Sequence, residues 1–400
     1  MQKKVIALAV AGALAAPAVS MAQSTVQVYG NIYMEYSFWN PGRNTAGTVQ
    51  PASADVLQTP GSQIGFRGEE NLGGGMSAWF TCTSTADFRG VSADGWCTRN
   101  SAVGVKGSFG NLYVGVWDTP FKRAMINTGG RDTGAFGTAF LLAGNSTTTD
   151  QGGNAGVFKR RQRNLITFDS PNFSGFAVQG AFSSTNNSTG ITSTSADAKP
   201  RIWSLAGTYK GGPLELAAAY EKHTKAYSNG VAPAAGTVST AGAAVAGTVG
   251  AVSTFAGDEE GWYVGGSYQL GSVKLGAQYT QQKADTGVGA NAKATAYQLG
   301  AEWKVAGPHN VHFGYTVADD MKGTAGAAMG SRPTVTALSN TGAKLWQVRY
   351  LYDFSKRTTG TIGYVSLKND ASANYDLGGM TGTGTGAKNS AFALSLAHRF

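Results

Sequence analysis

Charge is scarce in this chain, and long apolar runs are scarcer. Only 14% of its 400 residues are Asp, Glu, Lys or Arg. Beyond the N-terminal leader no stretch of about 18 apolar residues occurs, which excludes a membrane protein built from helices. There are two cysteines, Cys82 and Cys97, with no histidine near them, so neither a zinc site nor a redox motif is spelled out. The four histidines, His223, His309, His312 and His398, are dispersed; His309 and His312 flank a tight turn without completing a metal site. No Ser, His and Asp set falls at adjacent strand ends, and Gly73–Gly75 lacks the Lys-Ser/Thr ending of a phosphate loop. Neither an enzyme nor a bound cofactor is indicated. The formal charge is +9, two of it from Lys3 and Lys4 in the leader. The remaining basic residues form no long run, so no nucleic-acid partner is expected.

What is plentiful is glycine, 57 residues, and tyrosine, 16, in a chain whose apolar residues come singly. Met1–Ala22 carries Lys3 and Lys4, an apolar run from Val5 to Val19 and a small-residue site at Val-Ser-Met-Ala, the pattern of a secretory leader cut after Ala22. About sixteen stretches of two-residue periodicity follow, among them Val26–Trp39, Gly61–Glu69, Pro213–His223, Gly261–Leu270 and Ser390–Phe400. In the last, Phe392, Leu394, Leu396, His398 and Phe400 fall on one face and Ala393, Ser395, Ala397 and Arg399 on the other.

The joints alternate between tight turns, such as Asn71–Gly75, Gly107–Gly110, Gly211–Gly212 and Ala306–Gly307, and long connections, notably Asn40–Pro60, Thr119–Phe158, Thr224–Glu260, Asp319–Ala343 and Lys368–Lys388. Such loops are suspect in a soluble domain and expected on one rim of a transmembrane β-barrel. Val238–Gly257, rich in Ala, Val, Thr and Gly, reads as a flexible loop rather than a membrane helix because it lacks Leu and Ile. Leu214, Leu216, Ala218 and Tyr220 are assigned to lipid and Glu215 and Glu221 to the lumen; Trp346, Val348, Tyr350 and Tyr352 point out and Gln347 and Arg349 in. Polar inward positions predict a wet interior with little buried apolar bulk. Trp39, Trp262, Tyr268, Trp303 and Phe354 are expected in interfacial girdles. A soluble β-sandwich also alternates faces but rarely needs so many strands and such regular joints. Cys82 and Cys97 flank the second long connection, and in an exported chain the expectation is a disulfide closing that loop; the alternative is a metal or redox pair.

Several segments resemble the trimeric general porins of Gram-negative outer membranes, most closely the beta-proteobacterial ones: Val28-Tyr29-Gly30, Ser62–Gly75, Phe109-Gly110-Asn111-Leu112, Arg163-Asn164, Phe168–Phe176 and the terminal His398-Arg399-Phe400. The resemblance implies an all-β fold, a 16-stranded antiparallel transmembrane β-barrel over residues 23–400, with an inward-folded third loop at about 119–158. It implies a homotrimer, an outer-membrane location among lipid and lipopolysaccharide, passage of small hydrophilic solutes and anions, and reading of the strand that ends at Phe400 by the barrel assembly machinery.

Lys159, Arg161 and Arg163 share a face by period two, with Gln162, Ile166 and Phe168 on the other, and Arg67 falls on the inward parity of its strand. In the family such a wall faces the third loop and sets ion selectivity, since a ladder of Lys and Arg favours anions; the alternative is that these charges are solvated rim residues. Many relatives have Arg where Gln63 and Val116 stand here. The third loop balances Lys122, Arg123 and Arg131 against Asp132 and Asp150, with Asp118 at its root. A weak to moderate anion preference is the expectation. The rivals are a substrate-specific channel for a sugar, organic acid or amino acid, and an adhesive, structural or hydrolytic barrel.

Overall fold

The computed structural model describes residues 26–47, 52–90, 95–126, 128–130, 134–144, 157–183, 201–229, 254–287, 289–327, 329, 333–336, 339–378 and 384–400. The leader Met1–Ala22, Arg131, Asp132 and Asp150 lie outside these residues. The strands are β1 (Gln27–Asn40), β2 (Ala54–Gln58), β3 (Gln63–Gly73), β4 (Met76–Thr85), β5 (Ser101–Gly107), β6 (Gly110–Asp118), β7 (Arg161–Asp169), β8 (Phe176–Ser183) and β9 (Arg201–Gly211). They continue as β10 (Leu214–Asn229), β11 (Thr254–Leu270), β12 (Val273–Gly287), β13 (Ala290–Ala306), β14 (His309–Ala318), β15 (Lys322–Gly323), β16 (Ala343–Asp353), β17 (Thr358–Asn369) and β18 (Lys388–Arg399). β2 and β3 both pair with β1, either side of the turn at Pro60-Gly61, and β14 and β15 both pair with β13. Each couple is one interrupted wall strand, so the eighteen segments make a wall of sixteen strands. All pairings are antiparallel, and the wall closes where β1 meets β18 from Asn31 opposite Arg399 to Asn40 opposite Ser390.

Alternation sorts the faces as the periodicity requires. Leu216, Trp346, Val348 and Tyr350 are exposed on the outer surface while Glu221, Gln347 and Arg349 are buried on the inner one. Trp262, Tyr268, Trp303 and Phe354 are likewise outward and exposed. Trp39 departs from its girdle assignment: it has inward parity and is buried, because it packs in an apolar cluster inside the barrel.

That cluster corrects the expectation of a uniformly wet lumen. Phe121, Phe136, Leu141, Leu142 and Phe158 of the third connection are fully buried against inward residues of the wall. The wall positions they meet are mostly alanines, including Ala206, Ala217, Ala219, Ala296, Ala343, Ala391 and Ala393. An inward alanine leaves room for a loop residue, which is why the core escaped a reading based on large apolar side chains.

One hairpin runs further than the periodicity showed. β10 and β11 stay paired as far as Asn229 opposite Thr254, so Thr254–Gly257, assigned to a flexible loop, is strand; the remainder of that segment lies outside the described residues. In the sequence of these strand ends Ala226 and Tyr227, and Phe255 and Ala256, are adjacent rather than alternating, so no apolar stripe marks them.

Candidate functional site

The third connection begins at Thr119, whose side chain caps a short helix, Pro120–Ala124, by accepting from the Lys122 amide. Proline at the first helical position loses no hydrogen bond there, since that amide is an orphan anyway. A second turn of helix covers Ala139–Ala143. Between and beyond them the loop is sewn to the inner wall. The Phe121 amide donates to Ser204 on β9 at 3.0 Å and the Ile126 amide to the Tyr263 hydroxyl on β11 at 2.7 Å. The Gly129 amide reaches Glu302 on β13 at 2.9 Å. Arg349 on β16 donates from one nitrogen to the Gly129 and Gly130 carbonyls at 3.2 and 2.9 Å, and its guanidinium lies 5.7 Å from the Phe136 ring centre. On β1 Glu35, fully buried, accepts from the Ala135 amide at 2.8 Å, from Gln58 at 2.6 Å, from Tyr33 at 2.7 Å and from Ser37 at 3.0 Å. Four donors on one carboxylate make a fixed anchor without a cation.

Glycines let the loop lie this close. Gly276, Gly300 and Gly314 are register partners on β12, β13 and β14. A Cβ at Gly276 or Gly300 would collide with Thr128, and one at Gly314 would sit 2.9 Å from the Gly129 carbonyl oxygen. The three form a shallow channel across the wall that admits loop backbone.

The loop therefore covers the inner face from β9 round to β1. Among the described residues, the hydrogen bonds and ion pairs that fasten it go to these strands and to β6 and β7, and not to β3, β4 or β5. Among the described residues, β3–β5 are thus the bare part of the inner wall.

The charges anticipated in the sequence separate into three places. At the root of the loop Asp118 stands opposite Arg161 in the register. Arg161 Nε lies 3.3 Å and Lys122 Nζ 2.9 Å from its carboxylate, and Asn100 bonds both Asp118, at 3.1 Å, and Arg161, at 2.8 Å. Lys159, Arg160 and Arg161 are all buried here. Arg123 leaves the loop for the wall instead, gripping Asp169 on β7 through two hydrogen bonds of 2.8 and 2.9 Å and donating to the Tyr113 hydroxyl at 2.9 Å. Arg67 is elsewhere, on the bare wall. Its Nε donates to Gln27 at 3.0 Å and its guanidinium lies 5.2 Å from the Tyr29 ring centre, with no carboxylate partner among the described residues.

The ladder on β7 is not a simple period-two face. Gly115 pairs with Leu165 and Trp117 with Gln162, so Arg163 and Asn164 together oppose Val116. Asn164 takes a φ of 54°, a left-handed conformation that asparagine tolerates better than most residues. The extra residue flips the alternation: Gln162 is buried and bonds Ser183, while Ile166 and Phe168 stay outward and exposed. Sequence reasoning had put those three on one face.

Three anchors were not singled out from sequence. Glu35 and Arg349 sit at inward parity, which was the available signal. His223, read as one of four dispersed histidines, is buried with Nε2 2.7 Å from Glu221 and Nδ1 against Glu259, and the Phe158 ring stacks on it at 4.7 Å. Among the described residues no cluster of three His, Cys, Asp or Glu is arranged to hold a metal ion.

Cys82 and Cys97 are joined, closing the second loop. At the other rim Phe400 seals the seam of the barrel: its amide donates to the Gly30 carbonyl at 3.2 Å, and the Gly30 amide donates to its carbonyl at 3.1 Å.

A closed antiparallel wall with an apolar outer face and a loop narrowing its polar lumen defines a transmembrane channel. The chain belongs to the Gram-negative porin family, whose model matches residues 7–372, and is an outer-membrane porin. It is 27% identical over the whole of both chains to outer membrane porin protein 32 of Delftia acidovorans. It is 31% identical to the major outer membrane protein P.IB of Neisseria gonorrhoeae over 47% of this chain, spanning half the length of that relative. Among solved structures, an anion-selective porin from Comamonas acidovorans superposes with a TM-score of 0.68 at 23% identity, covering 94% of this chain and all of that one. The trimer form of OmpT from Vibrio cholerae gives 0.61 at 15% identity, over 94% of this chain and 99% of its own.

Proposed function

We propose that this porin passes ions and small hydrophilic solutes passively down their gradients, with a weak to moderate preference for anions, and that it does so as a homotrimer. The observation that carries the preference is the contrast among its arginines. Asp118 lies against both Arg161 and Lys122 and Asp169 against Arg123, whereas Arg67, exposed on the inner wall, touches Gln27 and Tyr29 and has no carboxylate partner among the described residues. An uncompensated guanidinium on the lumen wall lowers the cost of admitting an anion; paired ones contribute less net field. The full-length porin relative and the anion-selective structural neighbour agree with this reading. The trimeric neighbour supports assembly in threes.

The same reading takes Met1–Ala22 as the leader removed on export and Phe400 as the end recognised by the barrel assembly machinery. It sets the outward aromatic residues against lipid and lipopolysaccharide. The test is reversal potential in a planar bilayer under a KCl gradient. The wild type should reverse on the anion-selective side, and Arg67→Gln should move it toward cations; a cation-selective wild type would overturn the proposal.

A further inference from the structure

The bare wall carries more than charge. Trp79 on β4 and Tyr113 and Trp117 on β6 form an aromatic group with ring centres 5.1 to 6.0 Å apart, tilted or edge to face. Tyr113 is 2% exposed and wedged at the back, whereas Trp79 and Trp117 remain half-buried and reach the lumen. The Trp79 indole is held in place by its N–H, which donates to the Asn111 side-chain oxygen at 2.8 Å. Arg67 from β3 and Lys106 from β5 line the same cavity of about 580 Å³, a volume within the range of small-molecule sites.

Neither membrane anchoring nor core packing accounts for two half-buried indoles on the inner side of the wall, facing away from lipid. Their faces are electron-rich and their edges positive, so they prefer a flat aromatic partner to a saturated ring of equal size. The charge balance of the cavity is equally specific. Lys106 is matched by Glu69 at 2.7 Å, and Arg67 has no carboxylate among the described residues, which leaves one positive charge for a ligand to meet.

We propose that this cavity is a weak binding subsite for aryl carboxylates, with Trp79 and Trp117 taking the ring and Arg67 the carboxylate. The inference rests on the anion-passing function proposed above and narrows it to one preferred solute class. A solute held here sits on the open side of the channel, so its residence interrupts the small-ion current in a saturable way.

The experiment records chloride current through the full-length protein in a planar bilayer while benzoate, cyclohexanecarboxylate or benzamide is added. Benzoate should block at several-fold lower concentration than cyclohexanecarboxylate, which keeps the charge and loses the ring electrons, and than benzamide, which keeps the ring and loses the charge. Trp79→Leu should abolish the difference between benzoate and cyclohexanecarboxylate, and Arg67→Gln the difference between benzoate and benzamide. Equal block by the two acids in the wild type would overturn the proposal, and this comparison needs no variant to fold. The reversal potential, read in the same bilayer, separates the two readings: anion selectivity with equal block rejects the subsite alone, and cation selectivity rejects the function it rests on.

Discussion

Gly300 on β13 stands in register with Gly276 on β12, and Thr128 of the third loop occupies the space that a side chain at either position would fill. The position of the constriction loop is thus written partly in residues that have no side chain. Gly300→Val should force the loop off the wall and toward β3–β5. Overpacking of this kind costs about 1–3 kcal/mol. The unfolding temperature should fall, and the step conductance in a planar bilayer should fall with it as the path narrows. Unchanged conductance would mean that the loop does not border the path.

Arg123 and Asp169 form a two-pronged pair at the point where the loop leaves the wall. Both side chains are about a quarter exposed, 24% and 22%, so Arg123→Gln should cost less than the roughly 3–5 kcal/mol of breaking a fully buried pair. Its clearer effect should be on the current. With the helix Pro120–Ala124 left to its apolar side chains, the Lys122–Asp118 pair and the bond to Ser204, open-channel noise should rise, and Asp169→Asn should reproduce that noise. A quiet channel in both variants would show that the pair does not hold the loop.

How much of this was legible in the sequence follows from the size of the side chains that carry it. Strands such as β16, where Trp346, Val348 and Tyr350 alternate with Gln347 and Arg349, announce both faces, because large apolar and charged residues contrast. The inner core did not announce itself, because its wall half is Ala217, Ala219 and Ala296 and its loop half lies far away in the chain. The bulge at Arg163-Asn164 was hidden for another reason: one extra residue leaves the composition of β7 unchanged and reverses its parity. Arg67 could be placed on the inward face from sequence. That Arg161 would be offset by Asp118, in the preceding wall strand, could not, since only the closed sheet brings them opposite each other.

The Cys82–Cys97 bond closes a connection of 15 residues in sequence separation. In the chain-entropy model that is worth about 3 kcal/mol. Cys82→Ser with Cys97→Ser should lower the temperature at which the barrel unfolds and expose the second loop to protease. Conductance should be unaffected, because Cys82 is on the outward parity of β4, away from the lumen. A change in conductance without loss of stability would contradict that placement.

Within the same loop Asp87 accepts from the Arg89 side chain at 3.0 and 2.7 Å and from its amide at 2.9 Å. These bonds favour the ionised carboxyl and hold its pKa down to about 2, against an ordinary value of 3.8. A group depressed on folding stabilises the folded loop above its unfolded pKa, and the contribution disappears as pH falls from about 4 to about 2. Titration followed by carbon chemical shift in aspartate-labelled protein should find one carboxyl near 2. Arg89→Gln should return it to the ordinary range.

His223 sets the last test. Both of its ring nitrogens face carboxylate oxygens, of Glu221 and Glu259, and all three residues are buried. Both contacts are satisfied together when the ring donates from each nitrogen, which ties the two acids to one imidazole. Phe158, whose amide donates to the Ala143 carbonyl at 3.0 Å, stacks on that ring and ends the third loop there. His223→Leu would leave Glu221 and Glu259 buried together without the imidazole between them, a loss of about 3–5 kcal/mol, and would loosen the loop where it rejoins the wall. Changing Glu221 and Glu259 to Gln in the same protein should recover much of the unfolding temperature, because the uncompensated charge and not the missing ring carries most of the cost. If the triple variant is no more stable than His223→Leu alone, the stacking with Phe158 stabilises the loop more than the ionic cluster does.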